Sequence, residues 1–275
     1  LLQIGGTRRF ESEFYQPISR NRDWFVSGAY GYRASDTDLF DGERRFARLA
    51  FSEKKVGVYF GRQLGLIGEF RIGQSRYQVS AEPLILQQPA DAVSARYSAV
   101  EAQLRLDTLD SANFPRHGYS AALFGQRAQS AADGLAPRTN HGAGGAWAIS
   151  EGPYTLFSAA QYSVGSNGGA SPLGGFLSLS GTPVGSLSGD KSVFARLVGF
   201  RRIGLLPGAL GGSIYAGASL ELGGAFTNGQ GIALDRMKRA GALIVGAETI
   251  LGPVYFGAGK TVHGSSAIYL FVGQP

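Results

Sequence analysis

Apolar and polar positions alternate along much of the chain, and this period-two pattern predicts strands. Val100, Ala102, Leu104 and Leu106 fall on one face, with Glu101, Gln103, Arg105 and Asp107 on the other. Ile214, Ala216, Ala218, Leu220 and Leu222 share a face, and Ser213, Tyr215, Gly217, Ser219, Glu221 and Gly223 share its opposite. Val254, Phe256 and Ala258 alternate with Tyr255, Gly257 and Gly259, and Ile268, Leu270 and Val272 with Tyr269, Phe271 and Gly273. The second face is rich in Gly, Ser, Tyr, Glu and Gln rather than the Lys, Glu and Thr of a solvated surface. A barrel with apolar residues outward and a small-residue, polar interior has that composition.

The pattern predicts strands at 1–5, 8–16, 24–34, 45–62, 68–82, 95–107, 118–130, 141–150, 153–164, 191–203, 211–226, 240–250, 253–261 and 266–274. Connections after the first alternate in length. Short ones fall at 17–23, 63–67, 151–152 and 251–252, and long ones at 35–44, 83–94, 131–140, 165–190 and 227–239. Residues 108–117 run long for the short side, and 204–210 are intermediate. Long loops on one side and short turns on the other is the layout of an outer-membrane barrel. A soluble sandwich has many short strands without that asymmetry. Two places break the alternation. Ala47, Leu49 and Phe51 are apolar at odd positions, and Val56, Val58 and Phe60 at even ones, which predicts a bulge or break at Glu53-Lys54-Lys55. A similar slip separates Phe70 and Ile72 from Tyr77 and Val79, by a bulge or an extra turn.

Composition agrees with sheet. Gly makes up 42 of 275 residues, about twice the usual share of ~7%, and Gly costs a helix ~1 kcal/mol against Ala. Cys is absent, which excludes a disulfide framework and Cys-ligated metal. A hydrophobic content of 44% excludes a disordered chain. No run of about 18 apolar residues is present for a membrane helix. The chain begins Leu-Leu-Gln, without Met or a basic leader, and is expected to be part of something longer. Residues 1–138 carry 18 basic and 15 acidic residues and residues 139–275 carry 8 and 5, so the net charge of +6 has no single patch behind it. Nucleic-acid binding would need a clustered stripe. One domain over 1–275 is expected, since no linker of Pro, Ser or charge interrupts the chain.

Enzyme signatures fail on spacing. Gly257-Ala258-Gly259-Lys260-Thr261 ends like a phosphate loop, but the required earlier Gly is Val254. Gly142-Ala143-Gly144-Gly145 begins like a dinucleotide fingerprint without its third Gly or a βαβ unit. No G-x-S-x-G occurs. His117, His141 and His263 fall in or beside loops without metal-ligand spacing. No catalytic residue, cofactor or metal is expected. The carboxylates Glu101, Asp107, Glu221 and Glu248 fall on the inward faces, where Arg105 and Arg196 are candidate partners in structural pairs.

Two loop segments stand out. The longest connection contains Leu173-Gly174-Gly175-Phe176-Leu177-Ser178-Leu179-Ser180-Gly181 and Leu187-Ser188-Gly189. Loops of this length in compact domains are functional or disordered. Leu and Phe argue against disorder, so the segment is expected to fold back into the barrel as a plug. The second segment is Asp107 followed by Phe114-Pro115-Arg116-His117-Gly118 on the short-turn side.

With these residues the chain resembles the bacterial surface antigen superfamily, which includes BamA, TamA and the two-partner secretion transporters. Asp107, Phe114, Pro115 and Gly118 look like its D…FPxxG periplasmic turn. Gly174, Gly175, Phe176, Leu187, Ser188 and Gly189 sit where its sixth loop falls, with five strands following. More narrowly, this loop and the segments around Glu221, Glu248 and Ile268–Gly273, with Tyr15-Gln16-Pro17, resemble the C-terminal barrel of bacterial patatin-like phospholipases, the type Vd autotransporters. The family's loop tip is commonly Val/Ile-Arg-Gly-Phe/Tyr. Here the corresponding tip reads Leu187-Ser188-Gly189-Asp190, without the Arg that meets an interior carboxylate, which weakens an insertase-like or exporter-like mechanism. The resemblance implies a transmembrane antiparallel β-barrel, of 16 strands in the family and about 14 here, in the bacterial outer membrane. It would anchor, and in one version translocate, an N-terminal patatin-like lipase. Glu221, Glu248 and Arg196 would organise the interior with the tip at 187–190. Implied partners are outer-membrane lipids, a covalently linked passenger and the outer-membrane assembly machinery, with a homo-oligomer left open. A stand-alone insertase or exporter of the TamA type and a passive porin are the alternatives.

Overall fold

Among the described residues, fourteen antiparallel strands and two 3₁₀ turns, at Ser166–Gly168 and Leu234–Arg236, make up the regular structure. The structure is a computed structural model and describes residues 2–3, 7–41, 44–86, 91–129, 137–208 and 210–273. The strands are β1 (Leu2–Gln3), β2 (Thr7–Pro17), β3 (Trp24–Asp41), β4 (Arg44–Gln63), β5 (Gly68–Leu86), β6 (Val93–Asp107) and β7 (Gly118–Ala128). They continue as β8 (Arg138–Glu151), β9 (Tyr154–Gly165), β10 (Lys191–Leu205), β11 (Gly211–Phe226), β12 (Lys238–Thr249), β13 (Gly252–Thr261) and β14 (Ser266–Val272). No helix among the described residues is long and apolar enough to cross a membrane.

The chain divides into two compact units: one of residues 1–106, 122–142 and 165–169, the other of 107–121, 143–164 and 170–275. In the first, β1 to β6 pair with their chain neighbours. In the second, β9 to β14 do the same. Next-neighbour pairing through short turns needs no crossover and is the simplest antiparallel arrangement.

The two faces of each sheet are inverted relative to a soluble protein. On β11, Tyr215, Ser219, Glu221 and Gly223 are buried while Leu220 is 70% exposed. On β12 and β14, Leu243, Ile268 and Leu270 are as exposed as Leu220. In the first unit, Val56, Val58 and Phe60 are exposed, whereas Tyr59, Ser75 and Glu101 are buried. Water would not tolerate a continuous apolar skin of this kind.

Several expectations need correction. The register of β4 with β3 and β5 runs without a shift through Glu53, Lys54 and Lys55, so no bulge lies there. Ala47 is buried and shares its face with Tyr59; the covered face of β4 simply changes from apolar to polar along its length. The pairing of β5 is likewise continuous from Glu69 to Pro83, with no slip between Phe70 and Tyr77. Register shifts fall instead at Leu39/Phe40, Arg48/Leu49, Arg202/Gly204 and Gly211/Ile214. Of the expected loops at 35–44 and 83–94, residues 35–41, 44, 83–86 and 93–94 are strand, because β3, β4, β5 and β6 extend to Asp41, Arg44, Leu86 and Val93. Arg48 closes a bidentate pair with Asp38 at 2.7 and 3.0 Å on that extension.

The covered face of the first unit is organised by Glu101, which is 4% exposed. Its Oε2 accepts from Lys55 Nζ at 2.8 Å, Tyr59 O–H at 2.8 Å and Ser75 O–H at 3.3 Å. Its Oε1 accepts from Tyr77 O–H and from Gln126 Nε2 at 3.0 Å. The cation is therefore Lys55, two strands away, and not the sequence neighbour Arg105. Removing one member of a buried ion pair costs about 3–5 kcal/mol because it strands the other charge. Lys55→Met is expected to destabilise the refolded protein by about 3 kcal/mol in urea titrations. A change within experimental error would contradict this role.

Candidate functional site: a loop held by a buried carboxylate

Residues 166–190 connect β9 to β10, and residues 170–190 pack onto the covered face of the second unit. The loop is a double-backed hairpin. Leu173 and Leu187 exchange backbone hydrogen bonds of 2.8 and 3.1 Å. Gly174 N–H donates to Ser178 O at 2.8 Å and Gly175 N–H to Thr182 O at 2.9 Å. Gly174, Gly175 and Gly181 have φ of +125°, +100° and +93°, a region open to Gly at no steric cost. Leu177 and Leu179 also sit at positive φ, +58° and +78°, and persist there because the surroundings fix them.

Glu221 provides that fixing. Its Oε2 accepts from the backbone N–H of Leu179 at 2.8 Å and of Ser180 at 2.6 Å, and its Oε1 from Ser180 O–H at 2.8 Å and Ser219 O–H at 2.5 Å. Its donors are two backbone N–H groups and two hydroxyls, and none of the four is a cation. The neighbouring strands complete the clamp. Tyr269 O–H accepts from Gly181 N–H at 2.8 Å, Ser265 O–H donates to Gly181 O at 2.5 Å, and Thr261 pairs with Thr182 at 2.9 Å. Phe176 stacks on Tyr269 and Phe271, with centroids 4.9 and 5.6 Å apart. Gly257 and Gly259 make room below: a Cβ at Gly257 would lie 2.5 Å from the Phe176 ring, and one at Gly259 would run into Ser180.

The site residues foreseen from sequence separate here. Gly174, Gly175 and Phe176 form the docked arm, and Glu221 meets the loop. The segment it meets is 179–181, however, not 187–190. Leu187 turns back onto Leu173, Ser188 is exposed, and Gly189 packs under Phe226. Asp190 accepts from Asn228 N–H at 2.7 Å. Arg196 stands directly opposite Glu221 in the register, yet it donates to Leu177 O at 3.0 Å and lies over the Phe157 ring at 5.3 Å. Glu248 accepts from Ser213 N–H at 3.3 Å, remote from the loop contacts. Leu179 and Ser180 belong to the loop segment read from sequence, without a contact assigned to them; Thr182 on the loop and Thr261, Ser265 and Tyr269 beneath it are not singled out there for this contact. Leu179 and Gly181 act through backbone N–H groups, which leave no signature in sequence.

The turn at 108–117 reaches the same covered face from the other end of the second unit. Asp107 caps Leu109 N–H at 2.9 Å and is exposed, not inward. Pro115 is buried beside Phe114, whose ring stacks on Tyr215 and Tyr255 at 4.5 and 4.9 Å. Gly118 has φ +104°, and a Cβ there would strike Thr108 O. Asp110 accepts from the N–H groups of Arg116 at 2.8 Å and His117 at 3.2 Å. Burial pushes its carboxyl up, but these bonds and the adjacent His117 ring outweigh that and hold it below the usual aspartate value. Between this turn and the loop lies a cavity of about 270 Å³ lined by Phe114, Leu177, Arg196, Phe200, Tyr215 and Tyr255. Among the described residues no group of three His, Asp or Glu is placed to hold a metal ion.

The arrangement ties the loop tip to three strands and the β13–β14 turn through side-chain and main-chain hydrogen bonds. Two solved structures share this antiparallel fold. The chain is similar to the crystal structure of BamA from Haemophilus ducreyi lacking POTRA domains 1-3, with a TM-score of 0.74 at 11% identity over 96% of this chain and 61% of that one. It is also similar to CdiB from Escherichia coli, with a TM-score of 0.65 at 11% identity over 96% of this chain and 52% of that one. The chain thus spans about three fifths or less of the length of these two proteins. No protein-family model and no curated protein matches the sequence.

The two glycines Gly181 and Gly185 test the clamp. Both have positive φ, but an added Cβ at Gly181 would lie 2.5 Å from Ser265 O, whereas at Gly185 the nearest atom is 4.0 Å away. Gly181→Ala is expected to raise thermolysin cleavage at Leu177 and Leu179 by ~100-fold or more, and Gly185→Ala by roughly 5–30-fold at most, since it carries only the ~1–2 kcal/mol left-handed penalty. Equal cleavage in the two variants would contradict the clamp.

Proposed function

We propose that this chain is the membrane-embedded barrel of a bacterial outer-membrane protein that translocates or inserts polypeptide, with residues 166–190 as a latched plug in its lumen. The observation that carries the reading is the capture of Leu179 and Ser180 by Glu221. A sheet needs no such device to stand in a membrane, but a pathway through it needs a closure that can be undone. The exposed apolar face supports the location. In a bilayer the hydrocarbon takes the place of a core for Leu220, Leu243 and Ile268, and backbone groups are satisfied within the sheet.

More finely, the barrel anchors an N-terminal patatin-like lipase in the parent protein and shares its assembly route with other outer-membrane barrels. The motifs at 107–118 and 174–189 support that version. Its working partners are lipids, the linked passenger and the assembly machinery, and the reaction chemistry belongs to the passenger. A G-x-S-x-G upstream of Leu1 in the parent reading frame supports the anchor. Soluble periplasmic repeats there would support the stand-alone exporter instead.

Planar-bilayer conductance of the refolded chain tests the plug. Wild type is expected to be closed for most of the record. Glu221→Ala removes four acceptor contacts worth about 1.5–3 kcal/mol each before compensation, and is expected to open steady channels. Deletion of 174–189 is expected to do the same with the clamp residues intact. Steady wild-type conductance equal to that of the deletion would make the protein a passive porin and overturn the proposal.

A further inference from the structure

The exposed face of the first unit is bounded by two differently built edges. Near the short turn at 64–67, Trp24 stacks on Phe60 at 5.1 Å and Arg62 lies over Trp24 at 5.4 Å. Along β4 the exposed residues then run Phe60, Val58, Val56 and Lys54. From Arg62 to Lys54 is about 27 Å of strand at ~3.4 Å per residue, or about 21 Å along the normal at a tilt of ~40°. That is close to the height of ~25 Å expected of an apolar band.

The second edge carries the charge. Lys54, Gln78 and Arg96 stand opposite one another across β4, β5 and β6, and Arg76 lies opposite Val56 and Ser98, one exposed position nearer the band. All three cationic side chains are exposed. Together with Tyr30, Gln78 and Gln129 they line a shallow groove of about 540 Å³. Tyr32 is the register partner of both Lys54 and Phe10, and Phe10 and Tyr30 pack at 6.2 Å, so aromatics flank the cations as at a bilayer interface. Among the described residues of β3 and β5, the first acids on this face, Asp36 and Glu82, both stand opposite Ala50, further along the strands.

We infer that this groove binds the phosphorylated headgroup of a multiply acylated glycolipid in the leaflet facing away from the short turns. The inference rests on the outer-membrane reading above. Adjacent strands are ~4.8 Å apart, so Lys54 and Arg96 sit roughly 10 Å apart across β5, with Arg76 between and below them. That spread suits two phosphates better than one. Arginine takes phosphate oxygens through paired N–H groups, and lysine as a point charge. The acyl chains would lie on Val56, Val58, Phe60 and Val100, directly below the cations.

The test uses the refolded chain in phosphatidylcholine vesicles with and without hexa-acylated, bisphosphorylated lipid A. Heat-modifiable gel mobility and protease protection in phosphatidylcholine alone report insertion, which needs none of the three cations. Native mass spectrometry of the extracted protein reports retained lipid A. Wild type is expected to insert and to retain lipid A. The K54Q/R76Q/R96Q variant is expected to insert equally and retain at least ~10-fold less, and K54R/R76K/R96K to keep most of the binding. Wild type that inserts but retains no more lipid A than the glutamine variant would overturn the inference, as would equal competition by phosphatidylglycerol. Failure of wild type to insert would overturn the membrane reading itself.

Discussion

A carboxylate on the covered face of an apolar-skinned sheet must find every hydrogen-bond donor inside the protein. Both units meet that constraint, and in different ways. Glu101 is answered mainly by side chains, with Lys55 supplying the charge. Glu221 is answered by two backbone N–H groups and two hydroxyls. The first solution fixes neighbouring strands to each other. The second fixes a loop to a strand, and three of its four donors belong to the loop.

That difference gives the loop its character. The left-handed backbone at Leu177 and Leu179 costs about 1–2 kcal/mol per residue and is stable only while Glu221, Tyr269, Thr261 and Ser265 hold the tip. Once undocked, the segment would relax to ordinary conformations and leave Glu221 with unfilled acceptors in a buried place. Docked and undocked states are thereby separate rather than continuous, which is what a latch requires. Arg196, standing across from Glu221 in the register, completes the docked state through Leu177 O.

The sheet was legible in the sequence wherever one face kept one composition. β11 reads cleanly because its covered positions are Tyr, Ser, Glu and Gly and its exposed ones are Ile, Ala and Leu. β4 misleads because Ala47, Leu49 and Phe51 occupy the same face as Lys55 and Tyr59, so a change of composition imitates a change of parity. The ends of β3 and β5 were missed because their residues carry charge or Pro, while the pairing that extends them, including Asp38 with Arg48, depends on a partner strand. The importance of the loop at 166–190 was visible in its length and its Leu and Phe content. The contact point was not, since Leu179 and Gly181 bond through main-chain atoms. Glu221 meets the loop through the Leu179 and Ser180 N–H groups and the Ser180 hydroxyl, a donor set visible only in three dimensions.

The inversion of faces is the claim on which the membrane reading, the plug and the lipid groove all rest. The chain contains no Cys, so single cysteines carrying a small fluorophore can be placed one by one along β11 from Ala218 to Leu222 in vesicles containing brominated lipid. The account predicts quenching by bromine at Ala218, Leu220 and Leu222 and none at Ser219 and Glu221. Quenching at the odd positions, or none anywhere along the strand, would contradict it.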